Sequence, residues 1–133
     1  MVDLEPERLL KRAHAELDHL SPAAPAEENF LHAHMAALRA GAALLALHPG
    51  TRNRRRVRSV WEQIAELDEV WAPWAALFAA GAPVRAALES GRQRHLDPRQ
   101  VARTEQAAAE FVGIVADTIH AARAQAGPRA LAS

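Results

Sequence analysis

The segment from Thr51 to Arg58 carries Arg52, Arg54, Arg55, Arg56 and Arg58 with no acidic residue among them. Guanidinium groups pair bidentately with phosphate or carboxylate oxygens, and several together release counterions from a nucleic acid. This segment is therefore a candidate contact for RNA, a nucleotide or an acidic protein partner; the competing reading is a solvated loop whose charges are met by nearby acids. Just downstream, Glu62, Glu66 and Glu69 recur at helical spacing. Across a two-fold axis the arginines of one copy can meet these carboxylates of another, so they are candidate dimer-interface residues, against a plain solvent face.

Other combinations are chemically weaker. Glu16-Leu17-Asp18-His19 matches the Glu-x-x-His pattern of di-metal bundles, and Asp117-Thr118-Ile119-His120 is its near twin with aspartate in place of glutamate. Such sites require carboxylates that all point inward, whereas Asp117 falls on the outer side of the apolar seam formed by Val115 and Ile119. His32 and His34 flank Ala33 and diverge on a helix, unlike the i, i+4 histidines of a zincin. His34 borders the apolar stripe and is expected to be a hydrogen-bonded boundary residue. Trp61, Trp71 and Trp74 have faces that bases can stack on, but their spacing with Ile64, Leu67 and Leu77 suits a core or a dimer seam. The chain contains no cysteine, which excludes thiolate chemistry, and it shows no Gly-rich phosphate loop or Ser/His/Asp signature. Neither a metal nor a cofactor is expected.

These groups must be positioned by helices. Asp3 can cap a first helix with Glu5 and Pro6 in its first turn and with Leu10, Ala13, Leu17 and Leu20 on its apolar face; Ser21-Pro22-Ala23-Ala24-Pro25 breaks it. A second helix runs from Ala26 to about Leu47, with the stripe Leu31, Met35, Leu38, Ala42 and Leu45, and stops at His48-Pro49-Gly50. Ser59-Val60-Trp61-Glu62 reads as a capping box that opens a third helix, with Val60, Trp61, Ile64, Leu67 and Trp71 facing inward and Pro73 marking a kink or a new start. The fourth carries Trp74, Leu77, Phe78 and Leu88, bends around Gly81-Ala82-Pro83 and closes at Ser90-Gly91. Asp97-Pro98-Arg99-Gln100 opens the last helix, whose seam is Val101, Thr104, Ala108, Phe111, Val115, Ile119 and Ala122, and Gly127-Pro128 ends it.

No segment alternates at a period of two or contains a hairpin dipeptide, so the fold class is all-α, an up-and-down bundle of about five helices. With 133 residues there is room for one domain, expected over 1–126, followed by a disordered tail over 127–133. Sixteen basic and sixteen acidic side chains cancel, so any nucleic-acid contact must be local rather than a bulk attraction. The first residues, Met1-Val2-Asp3-Leu4-Glu5-Pro6, lack a basic and then apolar leader, and no run reaches the roughly 18 apolar residues of a membrane span. A cytoplasmic protein without membrane contact is expected.

Three stretches stand out: Ala33-His34-Met35-Ala36-Ala37-Leu38-Arg39-Ala40, the arginine-rich segment leading into Arg58-Ser59-Val60-Trp61-Glu62, and Trp74-Ala75-Ala76-Leu77-Phe78-Ala79-Ala80-Gly81. Together they resemble a small family of HEPN-domain proteins from high-GC bacteria. The similarity covers roughly Leu9 to Val115. It implies an up-and-down bundle, often a homodimer, in a superfamily associated with RNA cleavage, nucleotide handling and toxin or defence systems. It further implies that catalytic members use an arginine separated by four to six residues from a histidine near the last long helices. Here His95 follows Arg92 and Arg94 at other spacings, and no arginine precedes His120 within reach. The pairs Arg8 with His14 and Arg12 with His19 have suitable spacing but fall on the first helix, with apolar Leu9 and Ala13 after the arginines. The expectation is a non-catalytic binding or interaction module with no catalytic residue; a metal-independent ribonuclease and a toxin-antitoxin-like structural partner are the alternatives.

Overall fold

A computed structural model describes residues 2–49 and 59–132. The described chain is all-helical: α1 (Glu5–Asp18), α2 (Ala26–Ala46), α3 (Val60–Ala65), α4 (Ala72–Ala79), α5 (Ala82–Glu89) and α6 (Pro98–Ala132), with a 3-10 turn at Glu69–Trp71 before α4. No strand occurs among the described residues.

The contacts give the course of the chain. Glu16 near the end of α1 meets His32 and Arg39 of α2, so these helices run antiparallel. The turn between them is clamped by Asn29, whose side-chain oxygen accepts from Ser21 N–H at 3.2 Å while its amide donates to the Ser21 carbonyl at 2.8 Å. The third leg then returns beside α2. Gly41 packs on Val60, Trp61 and Ile64, His34 reaches Phe78, Arg85 reaches Met35, and His95 reaches Glu27. Finally α6 runs back beside α1 in the opposite direction, because Arg123 near its end binds Glu7 near the start of α1. The up-and-down bundle thus has four legs, the third built from three short helices.

α2 is the axle. Ala33, Ala36, Ala37, Ala40, Ala43 and Leu44 have no exposed surface, so this helix is covered on several sides. The large residues Leu31, Met35 and Leu38 are only half-buried, as is Ala42. Of the expected stripe Leu45 is buried; the rest is corrected, because along most of the helix the deepest face is alanine, which lets neighbouring backbones approach, while Leu31, Met35 and Leu38 fill the flanks. Gly41 shows how tight the approach is. A Cβ there would lie 2.7 Å from Ile64 Cδ1 and 3.0 Å from Val60 Cγ1. Against this axle pack Ala108, Phe111, Val112, Val115 and Ile119 of α6, and an aromatic cluster fills the space between α6 and the third leg. Phe111 is its centre, with ring centroids 5.9 Å from Trp61, 6.1 Å from Trp71, 5.7 Å from Trp74 and 5.3 Å from Phe78. The tryptophans are packing residues.

The third leg breaks where side chains compete for the backbone. Ser59 caps α3, its hydroxyl oxygen accepting from Glu62 N–H at 3.1 Å. Asp68 is extended (φ −168°, ψ 150°) and its carboxylate accepts from Val70 N–H, so the expected single helix through Trp71 stops at Ala65 and restarts after the 3-10 turn. Pro73 lies in the first turn of α4 and Pro83 in that of α5, where a missing amide costs least. The expected bend around Gly81 is a complete break. Leu77, expected inside, is 47% exposed, because Ala75 and Phe78 supply the inward face of the short α4. At the last helix, Asp97 accepts from Arg99 N–H at 3.0 Å. The α6 backbone continues through Gly127 and Pro128 to Ala132, past the expected end; the proline removes one amide donor without breaking the helical path.

His34 ties the axle to the break in the third leg. It is 1% exposed, stacks on Phe30 at 5.7 Å, and its Nε2–H donates to the Phe78 carbonyl at 3.1 Å, which also accepts from Gly81 N–H. Its Nδ1 is buried without a hydrogen-bond partner among the described residues. Burial holds its pKa below the ordinary value; the Phe78 hydrogen bond opposes this, and smaller effects come from the Arg85 charge, which lowers it, and from Glu89, which raises it.

Two outcomes follow from this packing. Phe111→Ala should destabilise the fold by roughly 3–5 kcal/mol, read as a lower urea midpoint, because it empties a space that several rings line. Because the folded state holds His34 neutral, its contribution is full above the ordinary histidine value near 6.5 and is lost as pH falls from there through the folded-state pKa. Urea unfolding between about pH 7.5 and about pH 5 should show this loss, and His34→Gln should flatten the slope. Equal slopes for the two proteins would exclude His34 as its source.

Candidate partner-binding surface

The five candidate contact arginines, Arg52, Arg54, Arg55, Arg56 and Arg58, lie outside the described residues. Their flanks are placed: the segment leaves from the end of α2 and rejoins the fold at Ser59, the N-cap of α3. The three acids that follow are all exposed, but they do not share one helix face. Glu62 belongs to α3, Glu66 caps its C-terminus, and Glu69 begins the 3-10 turn. Asp68 is the cause, since its capping contact interrupts the helical period that would have aligned them. Glu62 also edges a shallow, almost wholly apolar groove of about 310 Å³ floored by Ala65, Ala72, Ala75 and Ala76.

The histidines are dispersed, and several are engaged. His32 Nδ1 contacts Glu16 Oε2 at 2.7 Å, Arg39 Nε lies 3.9 Å from the other oxygen of that carboxylate, and the His19 ring stacks on His32 at 4.7 Å. Glu16 therefore holds α1 to α2, and the Glu-x-x-His spacing that suggested a metal is used for helix pairing. Asp117 and His120 lie exposed on α6. Among the described residues no three His, Asp or Glu side chains converge as metal ligands.

The arginine–histidine pairs on α1 do not build a pocket either. Arg8 is paired with Glu5 at 3.7 Å, and Arg8, His14, Arg12 and His19 are all solvent-exposed. His95 stands in the connection before α6, its side chain 94% exposed, with Nδ1 3.5 Å from Glu27 Oε1. The Glu27 carboxyl is held below the usual carboxylate range first by a hydrogen bond from its own backbone amide, then by the Leu96 amide and by His95. Phosphodiester cleavage needs a base or acid within hydrogen-bond reach of the 2′-oxygen and a cation on the phosphate at the same point. The exposed α1 side chains and the His95 connection do not assemble that combination.

A bidentate ion pair joins the two ends of the described chain. Arg123 donates through Nε to Glu7 Oε2 at 2.7 Å, through Nη2 to Glu7 Oε1 at 2.8 Å, and through Nη2 to the Asp3 carbonyl at 2.6 Å. These bonds hold the Glu7 carboxyl below its usual range and raise the Arg123 pKa. Residues 116 positions apart carry no local signal of such a pairing.

None of the helices is long and apolar enough to cross a membrane among the described residues. Neither a curated protein nor a solved structure matches the chain. The model of the SAV_6107-like HEPN family matches residues 21–116, from the turn before α2 through the buried heart of α6. That span contains the axle, the broken third leg and the aromatic cluster, and the chain belongs to the SAV_6107-like HEPN family.

Proposed function

We propose that this protein is a non-catalytic HEPN module that binds an anionic partner, single-stranded RNA first among them, through Arg52, Arg54, Arg55, Arg56 and Arg58. The observation that carries this reading is five arginines without an acid in one short segment of a chain whose formal net charge is zero. A neutral protein has no general attraction for polyanions, so a local concentration of guanidinium groups supplies the contact. The segment also joins the C-terminal end of a buried axle to a capped helix, which provides two fixed anchors. The non-catalytic part rests on the scattering of the histidines: His14 and His19 at α1, His32 and His34 on α2, His48 just beyond its end, His95 in the α5–α6 connection and His120 on the outer face of α6.

The module acts as a homodimer in this reading, the arginines of one copy approaching Glu62, Glu66 and Glu69 of another. Opposite charges at such a rim set register and partner choice more than affinity.

Replacing the five arginines by glutamine should lower affinity for a fluorescent single-stranded RNA by about tenfold or more at low salt and flatten its salt dependence, with the thermal midpoint unchanged. Equal affinity would refute the contact, and RNA cleavage that disappears when His14, His19, His95 and His120 are replaced would refute the non-catalytic assignment. For the dimer, reversing Glu62, Glu66 and Glu69 to lysine should shift sedimentation towards monomer, and reversing the arginines as well should restore the dimer. A monomer at every concentration would remove the charge-pairing role.

A further inference from the structure

Away from the arginine segment, the third leg fails to close on α6. α5 has no fully buried residue, and between α4, α5 and the first turns of α6 lies a cleft of about 280 Å³. Phe30 of α2, only 4% exposed, forms its floor, and Leu77 and Val84 stand at its walls. The exposure of Leu77 is thereby accounted for: it borders a space that no side chain of the described chain fills. The opposite wall is polar. Gln100, Arg103 and Thr104 present one face of α6, at i, i+3 and i+4.

The chemistry of this wall is directional. Thr104 Oγ1 donates to the Gln100 carbonyl at 3.1 Å, so its hydroxyl proton is committed. Arg103 has no carboxylate partner among the described residues, and its guanidinium offers a fork of donors beside an apolar floor. A cleft with an apolar base and a few convergent polar groups along one side is the usual form of a small-ligand site, and this volume is near the lower end for one.

We infer that this cleft binds a small organic anion: a flat or branched apolar body lying on Phe30 between Leu77 and Val84, with a carboxylate or phosphate head on Arg103 and Gln100. Binding would cover Leu77 and bridge α4 and α5 to α6. The site is independent of the arginine segment and does not rest on the function proposed above.

The test uses the full chain, isotope-labelled, titrated with phenylpropionate, phenyl phosphate and, as the uncharged control, phenylpropionamide, each to about 5 mM. Saturable amide shifts centred on Gly81, Gln100, Arg103 and Thr104 are expected for at least one anion, and which anion saturates identifies the head group. The amide should bind about tenfold more weakly, and Arg103→Gln should lose about tenfold in affinity. Leu77→Trp, which fills the cleft from an exposed position, should abolish the shifts while thermal unfolding stays within a few degrees of the parent. Absence of saturable shifts with both anions would overturn the inference. So would equal binding of anion and amide, or binding indifferent to both substitutions in proteins that remain folded.

Discussion

Everything in this fold depends on how closely other elements can approach α2. A helix covered from several directions cannot carry large side chains on every side, because each would hold its neighbour away and open voids. Alanine at positions 33, 36, 37, 40 and 43, with Gly41 facing α3, removes that obstacle. The consequence is energetic as well as geometric. Alanine buries little area, so the axle supplies proximity, while the larger transfer free energy comes from Phe111, Val112, Val115, Phe78 and the tryptophans arranged around it. One element sets distances and another fills them.

The broken third leg follows from the same division. Its helices are too short to be stable alone, so each is held by a cap or by a contact to the axle. Ser59 and Asp68 supply side-chain caps, and His34 holds the Phe78 carbonyl at the break before α5. Fixing that break with a buried imidazole carries a cost, since one ring nitrogen has no partner among the described residues and protonation is disfavoured. α5 has no side-chain cap and buries no residue fully, and its hold on the axle is the contact of Arg85 with Met35, so the leg ends loosely. The cleft beside α6 is the geometric result.

Much of the architecture was legible in the sequence, for identifiable reasons. The bounds of α2 followed from Pro25 and from His48-Pro49-Gly50, the start of α3 from Ser59, and the seam of α6 from Val101, Phe111, Val115 and Ile119, where large residues mark the buried face. Burial by small residues leaves a weaker sign in the sequence: Leu31, Met35 and Leu38 outrank alanine in any apolar stripe, yet the alanines are deeper. The stop at Asp68 is equally hidden, because its backbone contact halts a helix that Leu67 and Trp71 would otherwise extend. Contacts between remote residues, Arg123 with Glu7 and Glu16 with His32, leave no local pattern. Of the candidate surface, the acids were legible as exposed residues but not as members of separate elements, and the arginines lie outside the described residues.

Family membership and activity are separable here on physical grounds. A bundle of this kind is specified by small residues on the axle and aromatic residues at its side, none of which performs chemistry, so the scaffold can persist while side chains at its surface change. Hydrolysis of a phosphodiester demands more: a proton-transfer group and a cation held together to within a fraction of an ångström by rigid surroundings. In this chain, the histidine with the most restrictive surroundings is His34, and those surroundings exclude solvent and favour the neutral ring. Burial has turned it into a packing and hydrogen-bonding residue of the fold. The accessible histidines, His14, His19, His48, His95 and His120, lack comparable enclosure. Binding places weaker demands on geometry than catalysis does, because several guanidinium groups on one segment can each find a phosphate without a common alignment. The proposed reading of the arginine segment asks only for that looser arrangement.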